Sequence, residues 1–218
     1  SKKEQVFRYP LLKEIFSKNK TLREDFKDLG LSDVYGVLGF YRMGKKEMMA
    51  FSEGASINTD DGAQLEFSAP KNIRRATAEL NRKLMEPFLV AAPWLKESAA
   101  GMPASMRHFY LAQAYETNGW NSRALEELNQ AIRLEPSKAD FYVLKTKILL
   151  ADEKSSEAAK TALLTMERSR QSIKEILRLS EDFYLPEAKL IYSKAIEMGT
   201  QEIVPYLGLG NIALHSRE

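Results

Sequence analysis

Residues 105–136 read SMRHFYLAQAYETNGWNSRALEELNQAIRLEP, and this stretch decides the fold. It holds two helical runs that pack as a pair. The first carries His108, Leu111, Ala112 and Tyr115; the second carries Ala124, Leu128 and Ala131, and Pro136 closes it. The small residues Ala112 and Ala124 let two helices approach closely, and Leu111, Tyr115 and Leu128 fill the space between them. Gly119 and Asn121 sit where the chain must reverse.

One helix pair cannot bury its own apolar face, so the pattern has to recur. These spacings resemble the tetratricopeptide pattern, with His108 in place of the usual Trp and Ala112 in place of the usual Gly. At the 34-residue period of that repeat, Tyr142 falls where His108 stood, Thr146 where Ala112 stood and Ala158 where Ala124 stood. A shorter third copy has Ala188, Tyr192 and Ala195 in its second helix and residues 172–179 as its first. A fourth first helix follows with Tyr206, Leu209, Gly210 and Ala213. The resemblance implies repeats at about 105–138, 139–168 and 169–202 and a final half repeat at 203–218 that caps the array. The predicted fold class is mainly α, an α-α superhelix of such pairs in a right-handed stack, preceded by a small helical and hairpin N-terminal part.

Composition narrows the function. With 32 basic and 30 acidic residues the charge is nearly balanced, which argues against a nucleic-acid or membrane surface dominated by basic charge. Cysteine is absent, so disulfides, thiolate nucleophiles and cysteine metal sites are excluded. His108 and His215 are the only imidazoles, both in predicted repeat helices, with no nearby acid or nucleophile pattern. The longest apolar run, residues 87–95, is too short to span a bilayer and contains two prolines. No signal peptide is evident, and a cytoplasmic location is expected. The chain starts at Ser1 without Met, which suggests a fragment of a longer protein.

Residues 1–54 read as short helices. Pro10 starts one running to about Lys18, with Leu11, Leu12, Ile15 and Phe16 as its apolar face. Thr21 caps a second, which Gly30 ends. Ser32 or Asp33 caps a third with the face Val34, Val37, Leu38 and Tyr41, closed by Gly44, and a short helix follows over residues 45–52. Residues 55–70, ASINTDDGAQLEFSAP, hold the turn cluster Asn58, Thr59, Asp60, Asp61 and Gly62, then Leu65 and Phe67 alternating with polar neighbours. They read as a hairpin or an irregular loop followed by a short strand. Residues 71–104 form a connector: Asn72 caps a helix with the stripe Ile73, Ala76, Leu80, Leu84 and Phe88, and Pro87 and Pro93 break it.

The string INTDDGAQLEFSAPKNI resembles a segment of large bacterial spermidine-synthase-like proteins, and the stretch TLREDFKDLGLSDVYGVLGFYRMG is also similar to theirs. The resemblance covers residues 10–75, and residues 105–215 for the repeats, and departs at Gly62-Ala63. It implies that this chain is the C-terminal region of a polyamine aminopropyltransferase-like protein whose parent is membrane-attached through an upstream region. The glycine-rich nucleotide loop and the acidic catalytic motifs of that family are not in the chain.

Asn58, Asp60 and Asp61 form the one compact acidic group in a loop; turn chemistry accounts for them better than a metal site, and their role stays open. Gly208 and Gly210 do not make a dinucleotide loop, because no strand precedes them; Gly210 is expected as the small residue of the fourth repeat. The basic run Lys71, Arg74, Arg75, Arg82 and Lys83 is interleaved with Glu79 and Glu86 and reads as a solvated helix face. No catalytic residue, cofactor or metal is expected. The repeat resemblance puts Phe109, Val143, Ile173 and Leu207, and four positions on Gln113, Lys147, Leu177 and Asn211, on a concave groove. An apolar stripe with a few amides points to a hydrophobic segment as ligand, either a partner peptide or a neighbouring domain of the same polypeptide. The expected function is thus a non-catalytic protein-protein interaction module. The alternatives are a fragment completing an aminopropyltransferase-like active site, with Asp60 or Asp61 at its rim, and a scaffold that forms a homodimer.

Overall fold

A computed structural model describes residues 8–54, 83–90 and 102–215. The described chain is mainly helical, with no strand among the described residues. Its helices are α1 (Tyr9–Lys18), α2 (Lys20–Asp28), α3 (Lys45–Phe51), α4 (Ala104–Thr117), α5 (Asn121–Leu134), α6 (Ala139–Ala151), α7 (Ser155–Arg168), α8 (Ile173–Arg178), α9 (Leu185–Glu197) and α10 (Val204–His215). The hairpin reading, with Leu65 and Phe67, lies outside the described residues, as do Asn72, Ile73, Ala76, Leu80 and Pro93. Two compact units result: Ser1–Phe40 with Glu97–Glu218, and Tyr41–Lys96.

In the larger unit, Pro10 sits in the first turn of α1, where its missing N–H is no loss. The cap of α2 is Asn19 and not the expected Thr21. Asn19 is extended, so it ends α1, and its Oδ1 accepts from the Leu22 N–H at 3.0 Å. Gly30 closes α2 at φ +71, with Leu31 N–H bonded back to the Phe26 carbonyl at 2.8 Å. The rings of Phe16 and Phe26 hold α1 on α2, 5.1 Å apart. Leu11 and Ile15, expected on the apolar face of α1, are half exposed, whereas Tyr9 is buried edge-on to Tyr35.

The third helix is not an α-helix. Val34–Phe40 forms a 3-10 segment that Asp33 caps, its Oδ1 accepting from the Tyr35 N–H at 2.8 Å. The tighter period turns Val37 outward, against the sequence expectation, and buries Val34, Tyr35 and Leu38. This segment packs on α4. Gly36 and Gly39 make the approach possible: a Cβ at Gly39 would come within 3.0 Å of Ala114 Cβ and 3.4 Å from the Leu111 carbonyl oxygen.

Among the C-terminal helices α4 packs on α5 and α6 on α7, as the sequence pairs them, whereas α9 packs mainly on α7 and α10 and only slightly on α8, its expected partner. Ala112, Ala124, Leu128 and Ala131 are fully buried between the first two. Thr146, at the place of Ala112, is equally buried because its hydroxyl is satisfied by the Tyr142 carbonyl at 2.9 Å. The reversal after α4 uses Gly119 at φ +71; Glu153, one repeat period on, takes the same left-handed conformation at φ +60. Both turns close alike, Trp120 N–H on Tyr115 O and Lys154 N–H on Leu149 O. The helix expected to open the third pair is short: α8 spans Ile173–Arg178 between 3-10 turns at Arg170–Ser172 and Ser180–Asp182. In α10 the close-packed glycine is Gly208, lying against the Tyr192 ring, and not the expected Gly210, which faces open space.

In the smaller unit Gly44 begins α3 where it was expected to close the preceding helix; its N–H donates to Glu47 Oε2 at 3.0 Å. Pro87 lies in a 3-10 turn, Glu86–Phe88, after which Leu89 is extended, the break that proline dictates. Phe51 meets Phe88 with ring centroids 5.4 Å apart.

Candidate functional site

The larger unit carries a pocket of about 820 Å³ between α4, α6 and the turn leading into α8. Its apolar floor is Phe109, Val143, Leu144 and Leu179. Phe109 is only 8% exposed and packs against the Phe141 ring, with centroids 5.1 Å apart, so little of it is offered to the pocket. The walls are polar. Gln113 and Lys147 stand on α4 and α6, Asp140 and Glu175 supply carboxylates, and Arg168 and Arg178 supply guanidinium groups. Lys147 Nζ is braced 2.9 Å from Glu116 Oε1 on α4. The Arg168 guanidinium lies over the Tyr142 ring, 4.7 Å from its centroid, and donates to the Tyr142 hydroxyl oxygen and to the Pro136 carbonyl at 2.9 Å. Both acceptors are neutral oxygens, so neither is a counter-charge to the guanidinium.

Of the eight residues that the sequence puts on the groove, Phe109, Gln113, Val143 and Lys147 come together in this pocket. Ile173 and Leu177 belong to the core that α7, α8 and α9 share, 6% and 4% exposed, and present almost nothing to a ligand. Ile173 also borders a smaller depression with Lys174 and Glu202. Leu207 and Asn211 are exposed on α10 and do not line the larger pocket. The apolar stripe is therefore largely used up inside the protein, and the open part of the groove is more polar than the sequence suggested. Arg168, Arg178 and Leu144 were not foreseen. Arg168 shows in the sequence only as a basic residue in a last helical turn; nothing local reports that it folds back on Tyr142.

Titratable groups elsewhere sit in structural roles. Asp33 is 6% exposed and accepts from the Tyr9 hydroxyl at 3.3 Å as well as from Tyr35 N–H. Burial pushes its carboxyl above the usual carboxylate range, against the pull of those two hydrogen bonds and of Lys13. Burial, and then the Asp33 charge, raises the Tyr9 and Tyr110 hydroxyls. His108, which the sequence left without an acid, has Nδ1 2.6 Å from Glu127 Oε2 and ties α4 to α5. Asn58, Asp60 and Asp61 lie outside the described residues. Among the described residues no three of His, Asp and Glu gather as metal ligands would, and no helix is long and apolar enough to cross a membrane.

Comparisons with protein-family models, with curated proteins and with solved structures each gave no match.

Proposed function

We propose that this chain is a non-catalytic protein-interaction module of tetratricopeptide type, a superhelix of helix pairs whose first two pairs receive a peptide segment in the groove floored by Phe109 and Val143. One observation carries the reading. Residues one repeat period apart, Phe109 with Val143 and Gln113 with Lys147, line the same pocket. A repeat that presents equivalent positions to one groove can follow an extended chain along it. The resemblance of residues 10–75 to the tail of spermidine-synthase-like proteins makes the module the C-terminal region of such a parent.

The test is selection of displayed random short peptides on the whole chain, followed by calorimetric titration of those retained against the wild type and Lys147→Glu. Lys147 is half exposed, so the reversal leaves the core intact while putting a second carboxylate beside Glu116. A groove-bound peptide loses at least about tenfold in affinity, roughly 1.4 kcal/mol. Retained peptides that bind both proteins equally would place the contact outside the groove and overturn the proposal.

A further inference from the structure

Gln113 lines the groove, yet its amide is not free to turn. Its Oε1 accepts from the Ser32 hydroxyl at 2.5 Å and faces the Ser32 backbone N–H at 3.4 Å. A backbone N–H can only donate, so the atom turned to Ser32 has to be the carbonyl oxygen. The two N–H donors of the amide are left on the other side. Ser32 is itself held: Asp33 caps the 3-10 segment that starts beside it, and Gly36 and Gly39 bring that segment against α4. A residue 81 positions earlier in the chain thus sets the direction of a groove amide.

The groove walls are donor-rich. The Gln113 amide, Lys138, Lys147, Arg168 and Arg178 stand against Asp140 and Glu175; Lys147 has Glu116 beside it, and Arg168 donates to two neutral oxygens. We infer that Ser32 is a positioning residue for the groove, aiming the Gln113 amide to donate to a backbone carbonyl or carboxylate of an extended, acidic partner peptide. This rests on the groove reading above and names its ligand chemistry. The segment over residues 31–40 becomes part of the binding module and not merely a cover for α4.

The experiment uses the whole chain and peptides retained from the random display whose binding Lys147→Glu weakens. Ser32→Ala weakens those peptides by about threefold to tenfold, the worth of one neutral hydrogen bond. Gln113→Ala weakens them at least as much, and the double variant binds no worse than Gln113→Ala alone. Ser32→Thr, which keeps the hydroxyl, restores affinity. In nitrogen-proton spectra of the unbound chain, Ser32→Ala moves and sharpens the Gln113 side-chain amide pair. An affinity unchanged by Ser32→Ala while the urea midpoint falls would reduce Ser32 to a fastening of the 3-10 segment and overturn the inference. Additive losses in the double variant would do the same. Retained sequences without an excess of Asp and Glu refute the ligand class alone. A display yielding no peptide sensitive to Lys147→Glu defeats the groove reading, and the inference with it.

Discussion

Replacing Gly39 by Ala tests whether the 3-10 segment lies on α4 as closely as the structure has it. The added Cβ would stand within 3.0 Å of Ala114 Cβ, and 3.4 Å from the Leu111 carbonyl oxygen, both on α4. Carbon atoms in good contact are about 3.5–4.0 Å apart, so the segment must lift by on the order of 1 Å. It cannot lift freely, because Leu31, Tyr35 and Leu38 are buried and would move with it. Overpacking of this kind costs about 1–3 kcal/mol. Alanine also restricts the unfolded chain, which returns about 0.4–1 kcal/mol, and Gly39 is not among the glycines with positive φ. The expected net loss is about 1–2 kcal/mol, read as a lower urea midpoint with an unchanged slope. Ala114→Gly supplies the second arm. Alone it costs about 1 kcal/mol as a helix-interior glycine. Combined with Gly39→Ala it removes the clashing methyl, so the two losses fail to add by about 1 kcal/mol or more. A Gly39→Ala protein as stable as the wild type, or strictly additive losses, would refute the close approach.

Three further outcomes are expected. Glu153 holds a left-handed conformation at φ +60 that Gly119 holds without strain in the preceding pair, so Glu153→Gly stabilises by about 1 kcal/mol, read as a higher urea midpoint; a lower one would show that the Glu153 side chain contributes more than its backbone strain. The folded state raises the Asp33 carboxyl above the ordinary 3.8, so that group's contribution is full below 3.8 and is lost as pH rises through the folded value. Asp33→Asn keeps an acceptor for Tyr35 N–H and has no such dependence; relative to wild type its stability improves as pH is raised from about 3.8 toward neutrality, and parallel curves would contradict the burial argument. Gly208→Ala presses a methyl into the Tyr192 ring and destabilises, whereas Gly210→Ala meets open space and stabilises by about 0.5–1 kcal/mol; thermal melts of the two that shift in the same direction would reject the assigned register of α10.

What could be read from the sequence was whatever repeats. Ala112, Ala124 and Leu128 announce the first helix pair because small and large residues at those spacings have one good packing, and Thr146 could stand in for Ala112 because a helix carbonyl takes its hydroxyl. Phe109 with Val143 and Gln113 with Lys147, each 34 residues apart, line one pocket. Ile173 and Leu177 were misplaced as groove residues because α8 has six residues between two 3-10 turns, and periodicity carried across such a short helix no longer fixes which way a side chain faces. Val37 was misplaced because its face was drawn at the α-helical period, whereas the segment is 3-10, with Gly36 and Gly39 permitting its close approach to α4. That segment also answers a question the repeat pattern raises by itself. The face of α4 that carries Ala114 needs a cover, or it stays in water. Residues 31–40 cover it with a strip thin enough to reach Gln113, and this brings Ser32 to the groove. Ile203, just before α10, and Leu207 and Leu214 on it are exposed, so among the described residues α10 has no cover like the one that residues 31–40 lay over α4.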